Sequence, residues 1–123
     1  MKKVLVVDDE PDILKVISFR LKKAGYEVLT AGDGKAALDL IAVNKPDLIL
    51  LDLRMPVLSG EEVCVTLKAS DELKTIPVIL LTASSGGKIA DKAKELRADD
   101  SMVKPFEAEI LLEKVRKIIG GAV

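Results

Sequence analysis

Five side chains suited to phosphate or metal chemistry lie at the ends of short apolar runs. Asp8 and Asp9 follow Val4 to Val7, Asp52 follows Leu48 to Leu51, and Thr82 follows Val78 to Leu81. Lys104 closes a weaker run that begins at Ser101. If those runs are neighbouring strands, three carboxylates, a hydroxyl and an ammonium share one pocket. Carboxylates held together raise one another's pKa, and a hard divalent cation relieves the repulsion. Oxygen donors with room for water suit Mg²⁺, with Mn²⁺ as a substitute. Three carboxylates, one such ion and one lysine cancel in formal charge. A phosphoryl group on one carboxylate then leaves about one negative charge. Phosphoryl transfer asks mainly for positioning and charge stabilisation, and an aspartyl phosphate is an ordinary covalent intermediate.

Each residue alone has a simpler explanation. Asp8, Asp9 and Asp12 suit the cap of a following helix, and Lys104 before Pro105 suits a solvated turn. Their joint placement at four strand ends carries the functional reading. Other chemistries are excluded by composition. Histidine is absent, so no imidazole can bind zinc, act as a base or carry a phosphoryl group. The single cysteine, Cys64, lies in the helical pattern GEEVCVTLKA and reads as a small buried apolar residue. Nineteen basic against 20 acidic residues give a net charge of −1, which argues against binding nucleic acid by bulk charge. No apolar run reaches the ~18 residues of a membrane span, and the start lacks a cleavage site. A cytoplasmic protein with no direct nucleic-acid or membrane partner is expected.

The elements that must hold these residues follow from periodicity. A chain of 123 residues is one domain, 1–123, and buries roughly two-thirds of its unfolded surface without disulfides. Val4 to Val7, Leu48 to Leu51 and Val78 to Leu81 are continuous and rich in branched residues, as strands covered on both faces are. Tyr26 to Thr30 and Ser101 to Lys104 are weaker strands. Helical patterns occupy 12–24, 35–43, 60–69, 88–97 and 107–119. The first carries an apolar stripe of Ile13, Ile17, Leu21 and Ala24; the last carries Ile110, Leu111, Lys114, Val115 and Ile118. All five prolines fall at element boundaries, where a missing N–H costs little. The pattern is β-α repeated five times, an α/β doubly wound parallel sheet. Its ligands bind beyond the carboxyl ends of the strands.

The segments VLVVDDEPDIL, DLILLDLRMPVLSGEEV, VILLTASS and VKPF resemble the receiver domain of two-component response regulators. The resemblance runs over essentially the whole chain and leaves almost nothing for an output domain. It implies a five-stranded flavodoxin-like (βα)₅ fold with strand order 2-1-3-4-5. It makes Asp52 the phosphoryl acceptor and gives Mg²⁺ Asp9, Asp52 and the Arg54 backbone carbonyl as ligands, with Asp8 acting through water. Thr82 and Lys104 would hold the phosphoryl group, and the Lys104–Pro105 bond would be cis. Such a domain is a signalling switch rather than a turnover enzyme. Without a histidine of its own, it takes the group from a phosphohistidine of a sensor histidine kinase or phosphotransfer protein, or from a small acyl phosphate. A phosphorelay carrier is the alternative. The expected output face is the fourth helix, fifth strand and fifth helix, in a monomer or a weak phosphorylation-dependent dimer with an unknown downstream protein target.

Two positions depart from the family. Ser101 stands where an aromatic is usual, and Arg97 where a glycine is usual. Signalling is therefore expected to run through Thr82 and the loop 83–88 without an aromatic rotamer switch. Arg54 and Ser84 are expected to flank the path of water to the phosphoryl group.

On the first helix, Val16, Phe19 and Arg20 lie off the stripe centred on Ile17, ringed by Lys15, Lys22 and Lys23. They are the expected kinase-docking patch. Two other readings are weaker. Gly32-Asp33-Gly34-Lys35-Ala36-Ala37 fits a dinucleotide fingerprint, but Asp33 would oppose a pyrophosphate. A small-molecule phosphatase would want a second acid two residues after Asp52, where Arg54 stands.

Overall fold

The computed structural model describes residues 1–55, 57–82 and 88–121, with 88–90 described by backbone alone. Its elements are β1 (Lys3–Val7), α1 (Pro11–Lys23), β2 (Glu27–Ala31), α2 (Gly34–Asn44) and β3 (Leu48–Asp52). They continue with α3 (Gly60–Lys68), β4 (Val78–Thr82), α4 (Lys88–Glu95), β5 (Asp100–Val103) and α5 (Ala108–Ile119). The strands form one parallel sheet in the order β2-β1-β3-β4-β5. This is the doubly wound sheet expected from the alternation of runs and helices, in the flavodoxin-like strand order that the resemblance implies.

Strand side chains alternate between two cores, as a period of two requires. Val4, Val6, Leu48, Leu50, Ile79 and Leu81 pack with Ile17 and Leu21 of α1 and Leu111 and Val115 of α5. Leu5, Val7, Ile49, Leu51, Val78 and Leu80 pack with Ile41 of α2 and Val63, Cys64 and Leu67 of α3. Every residue of β3 and β4 is buried, so these strands lack a polar face. Cys64 is a fully buried free thiol, pushed up to about 11 mainly by desolvation.

Several boundaries and stripes differ from expectation, each for a local reason. Ala24 is the exposed C-cap of α1, so the buried stripe ends at Leu21, and Gly25 turns the chain with φ 99°. In α5 the core face is Leu111, Leu112 and Val115, while Ile110 is 43 % exposed. Tyr26 precedes β2 rather than starting it. Its buried hydroxyl donates to the Gly120 carbonyl at 2.8 Å. Helix α4 ends at Glu95, short of 97, and Arg97 takes a left-handed φ of 59°. A left-handed residue just past a helix is where glycine is usual. Helix α1 has Glu10 as its N-cap, without a side-chain cap. The capping role considered for Asp8, Asp9 and Asp12 therefore falls away. Helix α3 starts on a capping box between Ser59 and Glu62.

Val57, in the β3–α3 loop, has φ 69° and is 78 % exposed. A β-branched side chain is strained there and gains little from packing. Val57→Gly should raise stability by about 1 kcal/mol, roughly 4 °C in Tm for a domain this size. A thermal melt followed by circular dichroism checks it.

Candidate functional site

The carboxyl ends of β1, β3, β4 and β5 supply the site. Asp52 is the last residue of β3 and is 5 % exposed. The next amide, Leu53 N–H, donates to the Leu81 carbonyl at 3.1 Å, tying the strand end to β4. The chain then folds back tightly. A Cβ on Gly60 would lie 2.2 Å from the Asp52 carbonyl oxygen, so only glycine lets α3 start this close to the acid. The Arg54 amide donates to Asp52 Oδ1 at 3.1 Å, and Lys104 Nζ donates to Asp52 Oδ2 at 3.1 Å. Asp8 is fully buried. Its Oδ1 accepts from the Glu10 amide at 3.0 Å, and its Oδ2 accepts from Lys104 Nζ at 2.6 Å.

Lys104 follows β5, and its amide donates to the Thr82 carbonyl at 2.7 Å. That bond holds the lysine backbone beside the end of β4, and the Lys104–Pro105 peptide is cis. Its side chain is 10 % exposed and also lies 3.5 Å from Glu10 Oε1. Thr82 is buried at the end of β4.

Charge is unevenly matched in this pocket. Burial raises the Asp52 pKa, the Arg54 amide and Lys104 lower it in part, and Asp8 raises it further; the net is upward. For Lys104, burial works to lower the pKa, but hydrogen bonds and attraction from Asp8 and Asp52 overcome it and leave it raised. One ammonium thus serves two buried carboxylates. Carboxylate oxygens of Asp8, Asp9 and Glu10 also lie within 4.8 Å of one another, the last two exposed. These hard oxygen donors, beside a carboxyl with a raised proton affinity, fit Mg²⁺.

Asp8, Asp52 and Lys104 are therefore in direct contact, with Thr82 joined through its backbone. Asp9 sits in the acidic group at the pocket mouth, and the Arg54 side chain is exposed. Sequence reasoning passed over Glu10. Its signal was a third consecutive acid ahead of Pro11, which offers another carboxylate without being needed as a cap. Ser84 and nearly all of the loop 83–88 lie outside the described residues.

On α1, Val16 and Phe19 are 59 % and 63 % exposed. Arg20 is not a free member of the expected patch, because it forms an ion pair with Glu109 of α5. Lys23 Nζ lies 5.8 Å from the Phe19 ring centre. Val16 lines an apolar groove of about 480 Å³ shared with Ile13, Phe106 and Lys104, which runs from the helix to the pocket. At the glycine pair, Asp33 caps α2 by accepting from the Ala36 amide at 2.8 Å. A Cβ on Gly34 would meet the Leu58 carbonyl at 2.2 Å. The Asp33 carboxylate therefore takes the place a pyrophosphate would need, and close packing explains the glycine.

The charge imbalance sets the signs of two substitutions. Because the folded pKa of Asp52 lies above its unfolded value, the native state keeps a proton that the unfolded chain has lost. Stability therefore falls as pH rises from the ordinary carboxylate range through the raised value. Asp52→Asn removes that penalty and leaves Lys104 with Asp8. It should melt above wild type at pH 7 without divalent metal, by about 1 kcal/mol or roughly 4 °C. Lys104→Met strands two buried carboxylates and should cost roughly 3–5 kcal/mol at pH 7, less as pH falls and Asp52 protonates. Thermal melts in chelator across pH 4 to 8 (an experimental range of about four units) check both.

The response regulator receiver domain family matches residues 4–116. The chain is 43 % identical over 120 residues to the "Probable transcriptional regulator ycf27" of Cyanophora paradoxa, covering 96 % of this chain and 48 % of that protein. It is 41 % identical over 118 residues to the alkaline phosphatase synthesis transcriptional regulatory protein PhoP of Bacillus subtilis, with 96 % and 48 % covered. The chain thus spans about half the length of these curated relatives. Among solved structures, the chemotaxis response regulator CheY4 of Vibrio cholerae superposes with a TM-score of 0.89 at 36 % identity, covering 96 % of this chain and 98 % of that one. The receiver domain of Francisella response regulator 1452 gives 0.90 at 32 %, covering 97 % of each. Among the described residues, no helix is long and apolar enough to cross a membrane. By sequence over nearly its whole length, and by a fold that places carboxylates and lysine at the strand ends, this chain belongs to the receiver domain family of two-component response regulators.

Proposed function

We propose that the chain is a phosphorylation-activated switch whose acceptor is Asp52. The observation that supports this most is the Asp8–Lys104–Asp52 contact, in which a buried carboxylate with raised proton affinity ends β3 under a lysine that also holds Asp8. An oxygen of Asp52 attacks phosphorus, the P–O bond forms, and the bond to the donor's leaving group breaks. That donor is a phosphohistidine of a sensor histidine kinase or phosphotransfer protein, or a small acyl phosphate. The Arg54 amide orients the Asp52 carboxylate through Oδ1. Lys104 is close enough to follow charge from the carboxylate onto the phosphoryl oxygens, and the Thr82 hydroxyl is assigned to the same group. Asp9, Asp52 and the Arg54 carbonyl would hold Mg²⁺, with Asp8 acting through water. The bound ion supplies the positive charge that Lys104 alone does not provide.

Phosphorylation biases an existing equilibrium between surface states. With Ser101 half-buried on β5 in place of an aromatic, we assign the coupling to Thr82 and the segment that follows it. Val16, on the groove leading to the pocket, and the exposed Phe19 one turn on are the proposed kinase contact, with Arg20 holding the helix against α5.

Intact mass after acetyl phosphate treatment should show one phosphoryl adduct with Mg²⁺ and none in chelator; an adduct that ignores the metal would contradict the reading. Phe19→Ala should slow transfer from the cognate kinase by roughly tenfold, the effect of losing a contact worth about 1.4 kcal/mol. The acetyl phosphate reaction should be unchanged. Equal kinase rates would remove the docking patch.

A further inference from the structure

Glu10 has no part in the proposed chemistry, yet its carboxylate stands at the pocket. It occupies the N-cap position of α1, and its side chain makes no capping hydrogen bond. Its amide donates to Asp8 Oδ1 at 3.0 Å, which fixes its backbone beside the buried acid. One carboxylate oxygen from each of Asp8, Asp9 and Glu10 lies within 4.8 Å of the other two. Glu10 Oε1 is also 3.5 Å from Lys104 Nζ, the longest of the contacts that lysine makes with Asp8, Asp52 and Glu10. The Glu10 side chain is 60 % exposed. An ion pair that long and that exposed holds the carboxylate only weakly, so it can turn to another cation at little cost.

Divalent cations differ in their use of such a carboxylate. Mg²⁺ keeps several of its waters and takes about one or two carboxylates. Asp9 and Asp52 already supply that number in the proposed site. Ca²⁺ takes about six to eight oxygens, at longer and more variable distances. A loosely held acid at the pocket mouth is surplus to the first ion and a usable ligand for the second.

We infer that Glu10 is a specificity-determining residue of the cation site, and that it widens the site from Mg²⁺ to Ca²⁺. The inference rests on the Mg²⁺ reading of the pocket. The site itself stands on Asp8, Asp9 and Asp52 with Lys104, and Glu10 adds the oxygen donor that Ca²⁺ accepts. Lys104 keeps its two closer acids when Glu10 turns away.

Cation binding to the full chain tests this, with Mn²⁺ as the probe, read by electron paramagnetic resonance, and Mg²⁺ or Ca²⁺ as competitor. Glu10→Gln should raise the Ca²⁺ Kd by about tenfold, the lower end of what losing a supporting metal contact costs. It should raise the Mg²⁺ Kd by less than about threefold, the effect of one exposed charge. Asp12 is the control, an exposed acid that lines the same groove as Glu10 and makes no ion pair with Lys104. Asp12→Asn should leave both constants within about twofold. Equal weakening of the two ions in Glu10→Gln, or equal weakening by the two variants, would overturn the assignment, because a general loss of negative charge does the same. Unchanged Ca²⁺ binding in Glu10→Gln would overturn it and leave the Mg²⁺ reading intact. A wild-type chain that binds none of the three ions would overturn that reading and this inference together.

Discussion

One ammonium, the Lys104 Nζ, stands between two buried carboxylates at 2.6 and 3.1 Å. Much of the pocket's architecture follows from making that contact possible. The lysine must leave the sheet after β5, cross the end of β4 and reach β1 and β3. Its amide is fixed to the Thr82 carbonyl, and from there its side chain reaches both acids. Asp8 and Asp52 meet it because β1 and β3 are neighbours in the sheet. The strand order is thus what turns residues 44 and 96 positions apart into one charge cluster.

The same cluster explains why the pocket is chemically unfinished. Two buried carboxylates share one cation, and the exposed acids Asp9 and Glu10 stand at its mouth. A site with this excess favours whatever brings positive charge, a divalent cation above all, while burial first and Asp8 after it raise the pKa of Asp52. The cost of the imbalance is tolerated at the ends of strands whose remaining residues, Leu48 to Leu51 and Val78 to Leu81, all lie in the two apolar cores. Backbone strain lies in the β3–α3 loop, where Val57, five residues after Asp52, holds a left-handed backbone.

Much of this was legible in the residues themselves. Continuous branched runs such as Leu48 to Leu51 announce strands covered on both faces, and the acids after two of them with the threonine after the third announce the pocket. What remained hidden depended on side-chain direction and on contacts distant in sequence. Periodicity alone could not choose between Ile110 and Leu112 for the core face of α5. Adjacent acids cannot be divided between capping and ligation without the backbone, which makes Glu10 the cap position and buries Asp8. Arg20 read as part of an open patch because nothing in its neighbours pointed to Glu109, 89 residues on.

The central claim is that Asp52, rather than Asp8, Asp9 or Glu10, carries the phosphoryl group. Borohydride reduces an acyl phosphate to the alcohol and so leaves homoserine where the aspartate stood. Peptide mass mapping after acetyl phosphate, Mg²⁺ and borohydride should find homoserine at position 52. Reduction at another acid, or no reduced residue at all, would contradict it.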